Sequence, residues 1–88
     1  MQRAGSSRAS SSPGGRRERA FGRVLREIRQ EQGNSQEQLG FDSGYHLTYI
    51  SFLERGKKNP TLSTILDLAE TLRVPAWEMI RRWEARLE

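Results

Sequence analysis

Glycine and proline divide most of this sequence into short segments that have the period of an α-helix. Gly33 and Gly56 stand where a helix commonly ends, Gly44 marks a tight turn, and Val74 and Pro75 break the chain once more. The segments are about residues 17–32, 36–42, 47–54, one that opens at Pro60 and Thr61, and 76–86. No stretch alternates as a half-buried strand does, so the pattern predicts an all-α fold of five helices.

Apolar residues recur on one side of the first, fourth and fifth segments, as expected of helices that share a core. Segment by segment, they are Phe21, Val24, Leu25 and Ile28; Leu62, Ile65, Leu66, Ala69 and Leu72; and Trp77, Met79, Ile80, Trp83 and Leu87. A chain of 88 residues suits one small domain. We therefore expect a single helical core.

The residue types needed for catalysis or metal binding are scarce. The sequence has no cysteine, and His46 is its one histidine, so we expect no metal site and no cofactor. Carboxylates such as Glu27 and Glu31 lie one helical turn apart among arginines, which is typical of a solvated face rather than an acid/base pair. We expect no enzymatic activity. We also expect a cytoplasmic protein without a membrane or export segment, because no long apolar run occurs.

The positive charge is concentrated at the N-terminus. Arg3, Arg8, Arg16 and Arg17 account for the net charge of +4, because the remaining residues hold eleven basic and eleven acidic side chains. Residues 1–17 are rich in Ser, Gly and Arg, which predicts a flexible tail, and residues 18–88 form the predicted domain. The tail is either an inert leader, which is the favoured interpretation, or an arm that follows DNA phosphates, and the sequence does not separate the two.

The segment "SQEQLGFDSGYHLTYISFLERGKKNPTLSTILDLAETLRV", residues 35–74, carries a family resemblance. It resembles the Cro/repressor-type (XRE) helix-turn-helix regulators, with "SQEQL" and "TYISFLERGKKNP" as its most specific parts. The similarity extends over about residues 21–82, with a core at about 25–80 and the helix-turn-helix at about 36–55. The resemblance implies a five-helix, lambda-repressor-like bundle that binds double-stranded DNA.

The resemblance also implies which residues approach DNA. The third helix would enter the major groove, with His46 at its N-terminal cap. An ion pair between Arg29 and Glu54 would tie the first helix to the end of the third. The implied DNA-contacting residues are Gln36, His46, Leu47, Thr48, Tyr49, Ser51, Phe52, Arg55, Lys57 and Lys58.

The predicted recognition face lacks the Arg, Lys, Asn and Gln side chains that usually read bases. Leu47 and Phe52 occupy it, beside Thr48 and Ser51. Three explanations remain open: the apolar side chains contact thymine methyl groups, they fold back onto their neighbours, or they bind a protein. DNA is the favoured partner.

The last helix is the predicted dimer interface, because its aromatic residues exceed what a small core covers. The residues concerned are Trp77, Ile80, Trp83 and Leu87. By resemblance we expect a homodimer on a palindromic operator, acting as a repressor or controller-type autoregulator. The chain shows no sensor domain, so we expect no small-molecule ligand. The alternative is a protein-interaction module that binds a toxin or RNA polymerase through Leu47 and Phe52.

Overall fold

The computed structural model describes residues 14–88, which form five α-helices and no strand. The helices are α1 (Arg16–Glu31), α2 (Gln36–Ser43), α3 (Leu47–Glu54), α4 (Leu62–Thr71) and α5 (Ala76–Leu87). The all-α, five-helix prediction is confirmed. Residues 1–13, which hold most of the predicted tail, lie outside the described residues, and Arg16 and Arg17 already belong to α1. Within residues 14–88, no helix combines the length and the apolar character needed to cross a bilayer.

Local capping explains why the helices begin and end where they do. The Ser35 hydroxyl accepts a hydrogen bond from the Gln38 amide at 2.9 Å, and Thr61 caps α4 in the same way. Gly44 has φ of 83°, in the left-handed region that glycine enters without strain, and it ends α2. The turn between α2 and α3 is thereby short, as a helix-turn-helix requires.

The core lies where α1 packs against α3 and α5, and where α4 closes the bundle against α5 and α2. Its fully or almost fully buried members are Phe21, Val24, Leu25, Ile28, Leu39, Ile50, Leu53, Ile65, Leu68, Ala69, Leu72 and Met79. The stripe predicted on α4 was wrong in part. Leu62 and Leu66 are 78% and 59% exposed, because the side of α4 that faces the core carries Leu68 rather than these two residues.

A close approach of two backbones fixes the position of α3. A Cβ placed on Gly22 of α1 would lie 2.5 Å from the carbonyl oxygens of both Leu53 and Glu54. Only glycine allows α1 to touch the C-terminal end of α3 so closely. The inner side of α3 is therefore held against α1, and its outer side faces solvent.

Candidate nucleic-acid interface

The outer side of α3 carries the four residues predicted to face DNA bases. Ile50 and Leu53 are fully buried on the inner side. On the other side, Leu47 and Thr48 are exposed, and Ser51 and Phe52 are half-buried. The sequence prediction that these four residues share a face opposite the core is thus matched by the geometry of α3. Whether they read DNA stays a prediction.

The two apolar residues of this face have different surroundings. The side chain of Leu47 is 44% exposed, near Phe41 of α2, which is 84% exposed. Phe52 lies beneath Arg55, whose guanidinium carbon is 5.2 Å from the ring centroid. This distance fits a cation–π interaction, which holds both side chains in place. Phe52 is therefore covered in part by its own chain, whereas Leu47 presents its methyl groups to solvent.

A network of three polar side chains, two of them buried and Gln36 half-buried, positions the interface. Arg29 of α1 donates from Nε and Nη2 to the Glu54 carboxylate, at 2.6 and 2.9 Å. Gln36, the first residue of α2, donates from Nε2 to Glu54 Oε1 at 2.9 Å. The bond with Glu54 raises the pKa of the Arg29 guanidinium. The network joins the start of α2 and the end of α3 to α1, so the two helices are held as one unit.

Two aromatic residues connect the interface to α4. The ring of Tyr49 lies 5.3 Å from that of Tyr45, and the Tyr49 hydroxyl is 3.4 Å from the hydroxyl of Thr64. Tyr45 donates to Asp67 Oδ2 at 2.7 Å. Tyr49, for which the family resemblance implied a DNA contact, is half-buried and engaged within the chain. Tyr49 therefore helps to fix the orientation of α3 relative to α4.

The remaining predicted residues lie at the two ends of α3. His46 occupies the N-cap position with extended backbone, but its exposed imidazole makes no capping hydrogen bond. Arg55, Lys57 and Lys58 follow α3, and all three are exposed. None of these cations forms an ion pair with a carboxylate among residues 14–88. They place unneutralised positive charge directly beside the outer face of α3.

The predicted dimer residues divide into two groups. Trp77 is 64% exposed at the start of α5, whereas Ile80, Trp83 and Leu87 are half-buried. The Trp83 ring packs edge-on to Phe21 at 5.1 Å, and its indole donates to the Arg17 carbonyl at 3.0 Å. Much of the Trp83 surface is therefore used within the chain.

Leu62 and Leu66 are further candidates for an intermolecular contact, and sequence reasoning assigned them to the core. They are exposed one helical turn apart on α4. The signal that could have revealed them is that α4 has more apolar residues than one buried face can accommodate. No group of three or more possible metal ligands occurs among the described residues.

Comparison with known proteins agrees with this geometry. The model of the Helix-turn-helix family HTH_3 matches residues 25–76, which is more than half of the chain. The chain belongs to this helix-turn-helix family. The relatives found in this comparison are HTH-type transcriptional regulators and restriction-modification controller proteins, one of which was solved bound to a DNA duplex. The chain is accordingly a DNA-binding transcriptional regulator rather than an enzyme.

Three relatives illustrate the family. An uncharacterized HTH-type transcriptional regulator of Sinorhizobium fredii is 42% identical over 53 residues, covering 60% of this chain and 69% of the relative. The restriction-modification controller protein C.AhdI of Aeromonas hydrophila superposes with a TM-score of 0.68 at 43% identity, covering 69% and 92% of the two chains. C.Esp1396I, solved bound to a 19 base pair DNA duplex, gives a TM-score of 0.76 at 26% identity, covering 84% and 99%.

Proposed function

We propose that this helix-turn-helix protein is a sequence-specific regulator that binds a palindromic operator as a homodimer and represses transcription, including that of its own gene. The observation that carries the proposal is the outer face of α3. Leu47 and Thr48 are exposed there while Ile50 and Leu53 are buried, so the helix is held firmly by one side and open on the other. The exposed Arg55, Lys57 and Lys58 supply charge for the DNA backbone.

Sequence readout would combine hydrogen bonds with apolar contact. The hydroxyl groups of Thr48 and Ser51 can donate to or accept from base edges in the major groove. The exposed methyl groups of Leu47 suit contact with the C5-methyl group of thymine. Because this face has no side chain that forms bidentate bonds to a base, the shape and flexibility of the operator would add to the specificity.

The proposed dimer is formed through α5 and the neighbouring surface of α4. Trp77, Leu62 and Leu66 leave large apolar side chains in solvent, and a two-fold interface would cover them. Ile80, Trp83 and Leu87 would contribute their remaining exposed surface. Two recognition helices related by such an axis would reach half-sites about 34 Å apart, which is one turn of DNA.

Selection of bound sequences from random duplex DNA tests this proposal directly. The purified protein is mixed with the pool at about 200 mM salt, where nonspecific binding is weak, and retained duplexes are sequenced. The proposal predicts enrichment of a palindrome whose half-sites are about ten base pairs apart. The double variant Lys57→Ala/Lys58→Ala should weaken binding to all sequences alike, because it removes phosphate contacts. Failure of the wild-type protein to enrich any sequence would refute the proposal.

The structure also favours a second candidate function. Phe41 and Leu47 line a groove between α2 and α3, together with Tyr45 and His46. A protein partner, such as a toxin or an RNA polymerase subunit, could bury the exposed ring of Phe41 there. Phe41→Ala tests this second function. It should abolish capture of the partner from a bacterial extract, and it should leave DNA selection unchanged because Phe41 is not among the DNA-contacting residues. Capture that survives the substitution would contradict a partner site at Phe41.

A further inference from the structure

The end of α3 that begins at Leu47 presents only methyl and hydroxyl groups on its outer face. Leu47 is 44% exposed, and Thr48 beside it is exposed. Ser51 is half-buried one helical turn after Leu47, on the same side of the helix. None of the three side chains is a cation, a carboxylate or an amide. The groups available for base recognition are therefore few and chemically simple.

The hydroxyl and methyl groups differ in what they detect on a base edge. A hydroxyl group rotates to suit its surroundings, and it either donates or accepts a hydrogen bond. Thr48 and Ser51 therefore match the O4 acceptor of thymine as well as the N4 amino donor of cytosine. The apolar surface of Leu47 is more selective, because its burial is favourable where the base edge carries a methyl group.

A side chain that only donates hydrogen bonds would prefer thymine to cytosine, and the nearest one on this helix is distant from Leu47. Arg55 lies about 12 Å from Leu47 along the axis of α3, where its guanidinium covers Phe52. The residues that line the groove beside Leu47 include no arginine or lysine. Glu37 lines this groove, and its carboxylate accepts hydrogen bonds, so contact with a base would favour the amino group of cytosine.

Thymine is not the only base with a methyl group in the major groove. 5-Methylcytosine carries a methyl group on the same ring atom, C5, and has an amino group at position 4 where thymine has an oxygen. The paired purine changes from adenine to guanine, but both purines present the N7 acceptor. Leu47 would contact what the two pyrimidines share, and the hydroxyl groups of Thr48 and Ser51 would accommodate what separates them. Unmethylated cytosine lacks the shared group.

We propose that the outer face of α3 binds a C5-methylated pyrimidine without distinguishing thymine from 5-methylcytosine. Cytosine methylation would then convert a weakly bound sequence into an operator. This inference rests on the proposed function, because it requires α3 to lie in the major groove. It adds a second input to that function, since the protein would respond to the methylation state of its DNA as well as to the base sequence.

Two selections from random duplex DNA provide the first test. One pool contains ordinary cytosine, and the other contains 5-methylcytosine in place of every cytosine. The ordinary pool should yield operators with at least one invariant thymine in each half-site, because only thymine supplies a methyl group there. The methylated pool should yield either thymine or 5-methylcytosine at that same position.

Fluorescence anisotropy then measures the contribution of the methyl group by itself. The enriched duplex is made with thymine, uracil, cytosine or 5-methylcytosine at the selected position of both half-sites, each paired with its complementary purine. Uracil differs from thymine, and cytosine from 5-methylcytosine, only by the methyl group. The proteins compared are wild type, Leu47→Ala and Phe41→Ala. Phe41→Ala is the matched control, because Phe41 is an exposed apolar residue of the same groove that belongs to α2.

Loss of each methyl contact should weaken wild-type binding about fourfold, and loss of both in one operator about fifteenfold. Wild type should therefore bind the thymine and 5-methylcytosine duplexes with similar affinity, and the uracil and cytosine duplexes about fifteenfold more weakly. Leu47→Ala should bind all four duplexes with similar affinity, and Phe41→Ala should behave as wild type. Circular dichroism checks that Leu47→Ala is folded, as expected for a residue that is 44% exposed.

Failure of the inference is distinguishable from failure of the proposed function. If wild-type protein enriches no sequence from either pool, both fail. If it enriches an operator but binds uracil as tightly as thymine, or 5-methylcytosine no more tightly than cytosine, the operator stands and α3 does not detect the methyl group. If Leu47→Ala keeps the wild-type preference among the four duplexes, another side chain detects the methyl group and the role inferred for Leu47 is wrong.

Discussion

Arg29 and Glu54 form a buried ion pair in which two guanidinium nitrogens lie 2.6 and 2.9 Å from the two carboxylate oxygens. The two residues are far apart in the sequence, and their side chains are almost completely buried. Because Glu54 is the last residue of α3, the pair holds the end of this helix against α1. The orientation of the outer face of α3 therefore depends on a bond that lies on its inner side.

Replacing Glu54 by Gln should destabilise the domain by about 3 kcal/mol, because it leaves the buried charge of Arg29 without its partner. Urea denaturation followed by circular dichroism measures the loss. Glu37→Gln is the matched control, since Glu37 is exposed on α2 and should change stability by less than about 0.5 kcal/mol. Equal stability of the two variants would show that the ion pair does not fasten α3.

Gly22→Ala should destabilise the domain by about 2 kcal/mol, although the same change in an exposed helix stabilises by up to about 1 kcal/mol. The reason is the contact of 2.5 Å that the new Cβ would make with two carbonyl oxygens. Gln30→Ala, at an exposed position of α1, serves as the control. Thermal denaturation shows whether Gly22→Ala lowers or raises the stability of the domain. A stabilised Gly22→Ala protein would show that α1 and α3 do not approach as closely as described.

Trp77→Ala should weaken dimerisation, whereas Trp83→Ala should destabilise the folded monomer. Trp77 is 64% exposed, so its removal should leave monomer stability nearly unchanged and weaken dimerisation about thirtyfold, as for a central interface tryptophan. Trp83→Ala removes the contact with Phe21 and should cost about 2 kcal/mol of folding free energy. Sedimentation velocity measures dimerisation, and urea denaturation measures the free energy of unfolding. Unchanged association of Trp77→Ala would place the dimer interface elsewhere.

Stability should fall in acid partly through Glu78. Hydrogen bonds from Arg81, and then from Arg82, hold the pKa of Glu78 below its ordinary value of 4.5. A carboxyl group whose pKa is lower in the folded state stabilises the fold above its unfolded pKa, and this contribution disappears as pH falls through the folded pKa. Glu78→Gln should therefore lose stability at neutral pH and converge with wild type in acid.

Glu84→Gln is the control for this experiment, because Glu84 forms no ion pair among the described residues. Urea denaturation at pH values between about 2.5 and 7 gives the two profiles. A difference between Glu78→Gln and wild type that is the same at every pH would contradict the titration of Glu78 as its source.

The ends of the helices were predictable from sequence because they depend on neighbouring residues. Ser35 caps α2 through the Gln38 amide, and Gly44 ends that helix with positive φ. The buried face of α4 was not predictable in the same way. Its apolar residues fit two overlapping helical stripes, and contact with α2 and α5 decides that Leu68 is buried while Leu66 is exposed.

The candidate site likewise has some features that were predictable from sequence and others that depend on tertiary packing. The face formed by Leu47, Thr48 and Phe52 follows from helical geometry, and the structure agrees with it. The cover that Arg55 gives to Phe52 depends on rotamers, which sequence spacing does not determine. The ion pair between Glu27 and Arg86 depends on tertiary packing, because the two residues are far apart in sequence and meet only when α5 packs against α1.

Sequence-specific recognition by α3 is tested by titrating the wild-type protein against its enriched duplex and against a scrambled duplex of the same composition. Fluorescence anisotropy at about 150 mM salt gives both affinities, and sedimentation gives the stoichiometry. A sequence-specific dimer should bind the enriched duplex at two protomers per site and at least about a thousandfold more tightly than the scrambled one. Equal affinity for the two duplexes would contradict sequence-specific recognition by α3.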